Sequence, residues 1–74
     1  MEERTTRYLR FVNADVDFWL VKSKSRDTLL GGIEYYKPWK QYVFNAMSDN
    51  VIFNNECLND ISKMLTDLKE NTNG

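Results

Sequence analysis

The chain has 74 residues, which is enough for one small domain and too few for a second hydrophobic core. Ten lysines and arginines against eleven aspartates and glutamates give a net charge of −1, without the basic excess typical of proteins that bind nucleic acid strongly. The sequence has no histidine and one cysteine, which excludes a Ser-His-Asp or Cys-His catalytic site and a tetrahedral zinc site formed by this chain alone.

The N-terminal part of the chain is typical of β-structure. Residues 1–6 are polar and charged, nothing in them predicts regular structure, and we expect them to be flexible. Alternation of apolar and polar residues predicts a first strand over about 7–12. A short polar turn at 13–17 separates it from the dense aromatic and β-branched run at 18–21, which predicts the second strand.

Two more strands are predicted on either side of Pro38. Gly31 and Gly32 precede an apolar run that ends at about Lys37, and we expect a β-bulge or a tight entry to the third strand at these glycines. Proline cannot donate a hydrogen bond to a sheet, so Pro38 marks a turn. Alternation resumes over 39–44, which predicts a fourth strand.

The C-terminal part changes from a period of 2 to a period of 3.6 and predicts an amphipathic helix over about 54–69. Asn54 is a good N-cap residue, and Phe53 can pack on Leu58 as a hydrophobic staple. Residues 71–74 are expected to fray. The apolar stripe of the helix consists of Cys57, Leu58, Ile61, Met64, Leu65 and Leu68.

These elements predict an α+β fold, in which a four-stranded antiparallel β-meander carries one C-terminal amphipathic helix packed on one face. Residues 1–74 are expected to form a single domain with an ordered core at about 7–69. Because one helical stripe needs only one sheet face, the other face is left uncovered. Alternation places under the helix Leu9, Phe11, Trp19, Val21, Ile33, Tyr35, Tyr42 and Phe44, and on the opposite side Tyr8, Arg10, Val12, Phe18, Leu20, Glu34, Tyr36, Trp39, Gln41 and Val43.

The uncovered face is the candidate binding surface, because isolated monomers seldom leave a large aromatic and apolar patch in water. Such a patch would suit a protein partner or a second copy of the chain. The sequence leaves open whether Tyr36 and Trp39 belong to this interface or to the core. The predicted binding residues are Tyr8, Arg10, Tyr36, Trp39, Lys40 and Gln41.

Two further patterns favour structural interpretations. Cys57 lies near the start of the predicted helix, where a thiol can become nucleophilic, but the chain has no histidine to act as a base. A small core residue is therefore the better interpretation. The oxygen ligands of the 13–17 turn have the spacing of the first half of a calcium loop, but Phe18 replaces the expected glycine and Lys24 replaces the last ligand. We expect no catalytic residue, no metal and no cofactor.

The order of several elements resembles that of small proteins encoded in tailed-phage and prophage genomes. In those sequences a tryptophan strand precedes a Leu-Gly turn, an aromatic pair, a Trp-basic-x-Tyr-x-Phe strand and a Cys-Leu helix start. The resemblance spans roughly residues 9–68 and implies a phage setting without a mechanism, since those proteins bring no established activity. Its residues here are Trp19, Leu30, Gly31, Ile33, Tyr35, Tyr36, the run 38–44, Phe53, Cys57, Leu58, Ile61 and Leu65.

Together these inferences predict a non-enzymatic interaction protein, encoded by a phage or prophage, that binds a host or phage protein through the open sheet face. A role in modifying a host process such as defence would suit that setting. No apolar run approaches the about 20 residues that a membrane helix needs, and nothing resembles a signal peptide, so we expect it in the cytoplasm of a bacterial host. The alternative is a small nucleic-acid-binding module that uses basic and aromatic residues on the sheet.

Overall fold

Within the part of the chain that the structure describes, five strands form one antiparallel sheet, and a single α-helix follows them. The computed structural model of the chain describes residues 2–47 and 51–72. The sheet order is β1-β2-β3-β4-β5, so each strand pairs with its neighbours along the chain. This confirms the predicted α+β meander with a C-terminal helix, while positions 73 and 74 of the predicted frayed end lie outside the described residues. The elements are β1 (Glu3–Thr5), β2 (Leu9–Asp15), β3 (Phe18–Ser23), β4 (Leu29–Tyr36), a 3-10 turn (Lys37–Trp39), β5 (Gln41–Ala46) and α1 (Asn55–Thr72).

The prediction of four strands is wrong by one, because β1 adds to the outer side of β2. Arg4 of β1 lies opposite Phe11. Its guanidinium carbon is 5.3 Å from the centre of the Trp19 ring, and its Nη1 is 3.6 Å from the Met64 sulfur. No alternation of apolar and polar residues marks this strand in the sequence. Its position in the sheet depends instead on these contacts with residues distant in the chain.

The last strand begins two residues later than predicted. Pro38 lies in a 3-10 turn, and Lys40 follows in the left-handed conformation (φ 53°), with its N–H donating to the carbonyl oxygen of Lys37 at 3.1 Å. Proline fixes φ near −65°, which suits the start of such a turn, and closing the turn uses the next two residues as well. Trp39 and Lys40 therefore belong to the turn and not to a strand.

The hydrophobic core lies between the sheet and α1. The helix presents Ile61, Met64 and Leu68 to the strands at the spacing that its sequence predicts, while Val21 and Ile33 of the sheet are completely buried. Burial of one such side chain contributes roughly 1.5–3 kcal/mol, so this single layer supplies much of the stability. The buried residues of the core are Leu9, Phe11, Trp19, Val21, Ile33, Tyr42, Ile61, Met64 and Leu68.

The glycine pair in β4 makes room for aromatic rings on both faces of the sheet. A Cβ atom on Gly31 would collide with the carbonyl oxygen of Asn45 and lie 2.8 Å from the Phe44 ring, on the side of α1. A Cβ atom on Gly32 would lie 2.9 Å from the Phe18 ring, on the other side. The register against β3 also shifts beside Gly31, where Leu30 is the extra residue, which confirms the predicted bulge.

The helix-on-sheet core generates a direct test. Ile61→Asp should lower the free energy of unfolding by about 3 kcal/mol or more, because the side chain is 4% exposed and the new carboxylate has no cationic partner in the core. Asn59→Asp introduces the same charge on the exposed side of α1 and should change stability by less than about 0.5 kcal/mol. Urea unfolding of both variants checks this, and equal midpoints for Ile61→Asp and the parent chain would remove the core described above.

Candidate interaction site

The sheet has one face turned towards α1 and one face on which no other element packs, within residues 2–47 and 51–72. We call the second one the open face. Strand register assigns the residues to it, because side chains that lie opposite each other in neighbouring strands share a face. The open face includes Arg10, Val12, Phe18, Leu20, Lys22, Leu29, Gly32, Glu34, Tyr36, Gln41, Val43 and Asn45.

An apolar band crosses the open face. Val12 lies opposite Leu20, and Leu20 lies opposite Gly32, over which the Phe18 ring is placed. These side chains are half-buried by their neighbours in the sheet alone. A shallow depression of about 280 Å³ lies beside them, with the 63% exposed Met47 on its rim. The sequence predicts the face of Phe18 and Leu20, but neither they nor Met47 were among the predicted binding residues.

Two charged side chains of the open face, Arg10 and Glu34, have partners nearby. Arg10 Nε lies 2.8 Å from Glu3 Oε2 without a well-aligned hydrogen bond, and Arg10 Nη1 lies 3.2 Å from Asp27 Oδ1. Asn45 Nδ2 donates to Glu34 Oε1 at 2.7 Å. Partly exposed ion pairs like those of Arg10 add at most about 1 kcal/mol each to stability, so their main effect is to compensate the charge of Arg10 beside the apolar band.

The structure divides the six predicted binding residues into separate groups. Tyr8 does not lie on the open face. It precedes β2 and packs against the core, and together with Cys57 it lines a hollow on the side of α1. Its predicted place on the open face is therefore wrong, since the alternation of a strand does not extend to a residue before it. Arg10 is on the open face as predicted. About 20 Å separates it from Tyr36, since the two lie roughly six residues apart along the strand direction.

The other four predicted residues lie together at the corner where β4 turns into β5. Tyr36 pairs with Gln41 on the open face, and the Tyr36 and Trp39 rings meet edge to face with centroids 5.0 Å apart. Trp39 is 65% exposed, and it also lines one end of a groove between β5 and α1. Tyr36 is 39% exposed, so both aromatic rings are surface residues and not core residues. Lys40 is exposed beside them.

The polar segment 13–17, which forms the end of β2 and the turn into β3, uses its side chains for structure. The Asn13 side-chain amide donates to the carbonyl oxygen of Asp15 at 2.8 Å, and an Asp15 carboxylate oxygen accepts from the Val16 N–H at 2.7 Å. Asp17 Oδ1 accepts a hydrogen bond from the Tyr42 hydroxyl at 2.8 Å. Among the described residues no group of three or more acidic, histidine or cysteine side chains is arranged to hold a metal ion.

Tyr42 connects this turn to the core. Its ring is 7% exposed and meets the half-exposed Tyr35 ring edge to face at 5.3 Å. The pKa of Tyr42 is raised from 10.0 to about 12, most of all by burial and also by the hydrogen bond to Asp17 and the negative charge of that carboxylate. The hydroxyl therefore remains a neutral donor at every physiological pH.

Cys57 belongs to the start of α1, as predicted. Its N–H donates to Asn54 Oδ1 at 2.8 Å, which confirms Asn54 as the N-cap. The thiol side chain is half-buried and packs against the core. Among the described residues, no helix combines the length and the apolar character needed to cross a membrane.

A protein similar to this chain over almost its whole length is the uncharacterized 9.3 kDa protein of Acholeplasma phage L2. The two are 31% identical over 78 residues, an alignment that covers 95% of each chain. The chain belongs to this phage protein family. No family model matches it, and neither does any solved structure. The expected phage relationship is thus confirmed, while the order of motifs that suggested it stays a prediction.

The hydrogen bond between Tyr42 and Asp17 generates a prediction for stability and its pH dependence. Tyr42→Phe should lower the free energy of unfolding by about 1–2 kcal/mol at neutral pH, because it removes a hydrogen bond to a charged acceptor. The Tyr42 pKa is raised in the folded state, so its contribution is complete below about pH 10 and declines as the pH rises through about 12. Tyr35→Phe is the matched control, since the Tyr35 hydroxyl has no hydrogen-bond partner among the described residues. Urea unfolding that ranks the two variants equally would contradict this role.

Proposed function

We propose that this phage protein is a small non-enzymatic interaction protein whose open face binds a protein partner in the cytoplasm of the bacterial host. The observation that carries the proposal is the half-buried apolar band of Val12, Leu20 and Phe18, on a sheet face that no described element covers. Contact of such a band with water is unfavourable by roughly 25 cal/mol per Å², and monomers seldom leave large patches of this kind exposed.

The chemistry of the open face indicates what the partner should present. The apolar band, with the shallow depression next to Gly32, would meet an apolar patch on the surface of a folded protein. Arg10 with its two carboxylate partners and Glu34 with Asn45 would form the polar rim. Because two carboxylates already pair with Arg10, the partner does not need a strong negative charge opposite that residue.

The nucleic-acid alternative draws on one corner of the molecule. Tyr36 and Trp39 offer aromatic rings beside the exposed Lys37 and Lys40, a combination that suits stacking and phosphate contacts. Arg10, however, is paired with two carboxylates and lies far from this corner. A protein partner is the better proposal, because the apolar band has no counterpart on a phosphate backbone.

The phage protein family indicates the biological setting of the proposed interaction. A non-enzymatic phage protein of the kind proposed here can act on its host by occupying a surface of a host protein. We propose that the partner is a host or phage protein, and that binding modifies a host process such as defence. The relationship to a phage protein supports the proposed setting, and the geometry of the sheet supports the proposed binding surface.

The proposal predicts where the partner touches. A photoreactive phenylalanine analogue in place of Leu20, in the centre of the open face, should cross-link one protein in host cells. The same analogue in place of Val16, which is 87% exposed in the β2–β3 turn, should leave that protein unlinked.

Tyr36→Ala should weaken the identified complex by about 2 kcal/mol, roughly thirtyfold, while Phe44→Ala should mainly lower the melting temperature because Phe44 packs on Phe53 and the core.

Two outcomes would count against the proposal. Identical products from the Leu20 and Val16 positions would mean that the open face has no specific partner. Products that a nuclease removes, together with binding to single-stranded DNA that weakens steeply with salt and is lost in Lys40→Ala, would favour the nucleic-acid alternative.

A further inference from the structure

We propose that two copies of this chain pair through the outer edge of β5, which joins their sheets into one continuous antiparallel sheet. This inference concerns an edge of the sheet and stands independently of the partner proposed for the open face. It rests on three observations: unpaired backbone groups, the composition of the two sheet edges, and an exposed leucine beside β5.

The outer edge of β5 carries backbone donors and acceptors without partners among the described residues. The Met47 N–H donates to the carbonyl oxygen of Leu30 at 2.8 Å, which fixes the alternation of hydrogen bonds between β4 and β5. The residues at odd positions of β5 therefore bond to β4. The N–H and C=O groups of Tyr42, Phe44 and Ala46 point away from β4, and no described backbone or side-chain group bonds to them.

The two edges of the sheet differ in how they resist pairing with another chain. Natural sheets protect their edges with short strands, charges, proline or bulges. β1 has three residues and contains Glu3 and Arg4, so it is both short and charged. β5 has six residues without charge, proline, glycine or bulge. An unprotected edge of this kind in a folded protein favours a second strand as its neighbour.

A second strand would also cover apolar surface beside the edge. β5 and α1 form a groove of about 620 Å³, and its lining includes Phe44 and Leu58. Leu58 is 52% exposed although it lies on the apolar stripe of the helix. The lining contains no acidic side chain, so nothing in it repels an uncharged strand.

The β5 strand of a second copy can pair with the free edge and cover the groove. Its β5 is uncharged and has the same free outer edge, and two-fold pairing of identical surfaces is the commonest arrangement of protein dimers. A two-fold axis at Phe44 pairs Phe44 with Phe44 and Tyr42 with Ala46, which uses every outward N–H of both strands. If the register between the two β5 strands shifts by two residues in either direction, some of the outward backbone N–H and C=O groups are left unpaired. The same axis brings the two grooves, and with them the two Leu58 side chains, to the centre of the dimer.

This register makes a specific prediction for cross-linking. On the open face it sets Val43 of one copy opposite Asn45 of the other in a non-hydrogen-bonded pair, with Cα atoms about 4.5 Å apart, within the range for a disulfide. Two Val43 residues, or two Asn45 residues, lie on the diagonal at about 7–8 Å, which is too far for a disulfide.

In a Cys57→Ser background, Val43→Cys chains mixed with Asn45→Cys chains should form a disulfide-linked dimer under mild oxidation. Either chain alone should stay unlinked. Disulfides within one variant alone would overturn the proposal, because they indicate contact through the open face. Absence of linkage in the mixture, with circular dichroism showing both chains folded, would overturn it as well.

Sedimentation equilibrium provides the second readout, with a pair of variants that carry the same charge. Leu58→Glu should weaken dimerisation at least tenfold, because it places two carboxylates near the axis. Asn59→Glu introduces the same charge at the next, exposed position of α1 and should leave the dimer intact. A parent chain that remains monomeric at about 0.1 mM, a concentration well above the micromolar affinities of modest interfaces, would overturn the proposal.

Discussion

The structure depends on the contact between one apolar stripe of α1 and one face of the sheet. Ile61, Met64 and Leu68 meet the buried side chains of the central strands, and this single layer forms the core. A helix presents one stripe, so it can satisfy only one of the two sheet faces. No described element packs on the second face, which is therefore left to water or to another molecule, and the proposed function follows from this asymmetry.

The two proposed contacts use different chemistry on perpendicular surfaces. The open face offers side chains, above all the apolar band around Leu20, while the edge of β5 offers backbone hydrogen bonds. A two-fold axis perpendicular to the joined sheet would place both open faces on the same side. A dimer would thus present two copies of the binding surface in one plane, which would strengthen attachment to a partner that is itself multivalent.

Sequence reasoning worked where local pattern decides the structure and failed where distant contacts decide it. The helix, its Asn54 cap and the assignment of Phe11 and Val21 to the buried face follow from periodicity alone. β1 was missed because three polar residues become a strand only through pairing with β2. Tyr8 was misplaced because alternation was extended past the end of a strand. The ion pairs of Arg10 could not be predicted, since Asp27 joins it from a loop distant in sequence.

The central claim is that α1 protects one sheet face and leaves the other free to bind. Methyl NMR with a soluble nitroxide tests it directly, because the nitroxide broadens resonances of exposed methyl groups. The account predicts strong broadening for Leu20, Val12 and Val43 and little for Leu9, Val21 and Ile33, whether or not β5 pairs with a second copy. Equal protection of both sets would contradict it, since the face described as open would then be covered.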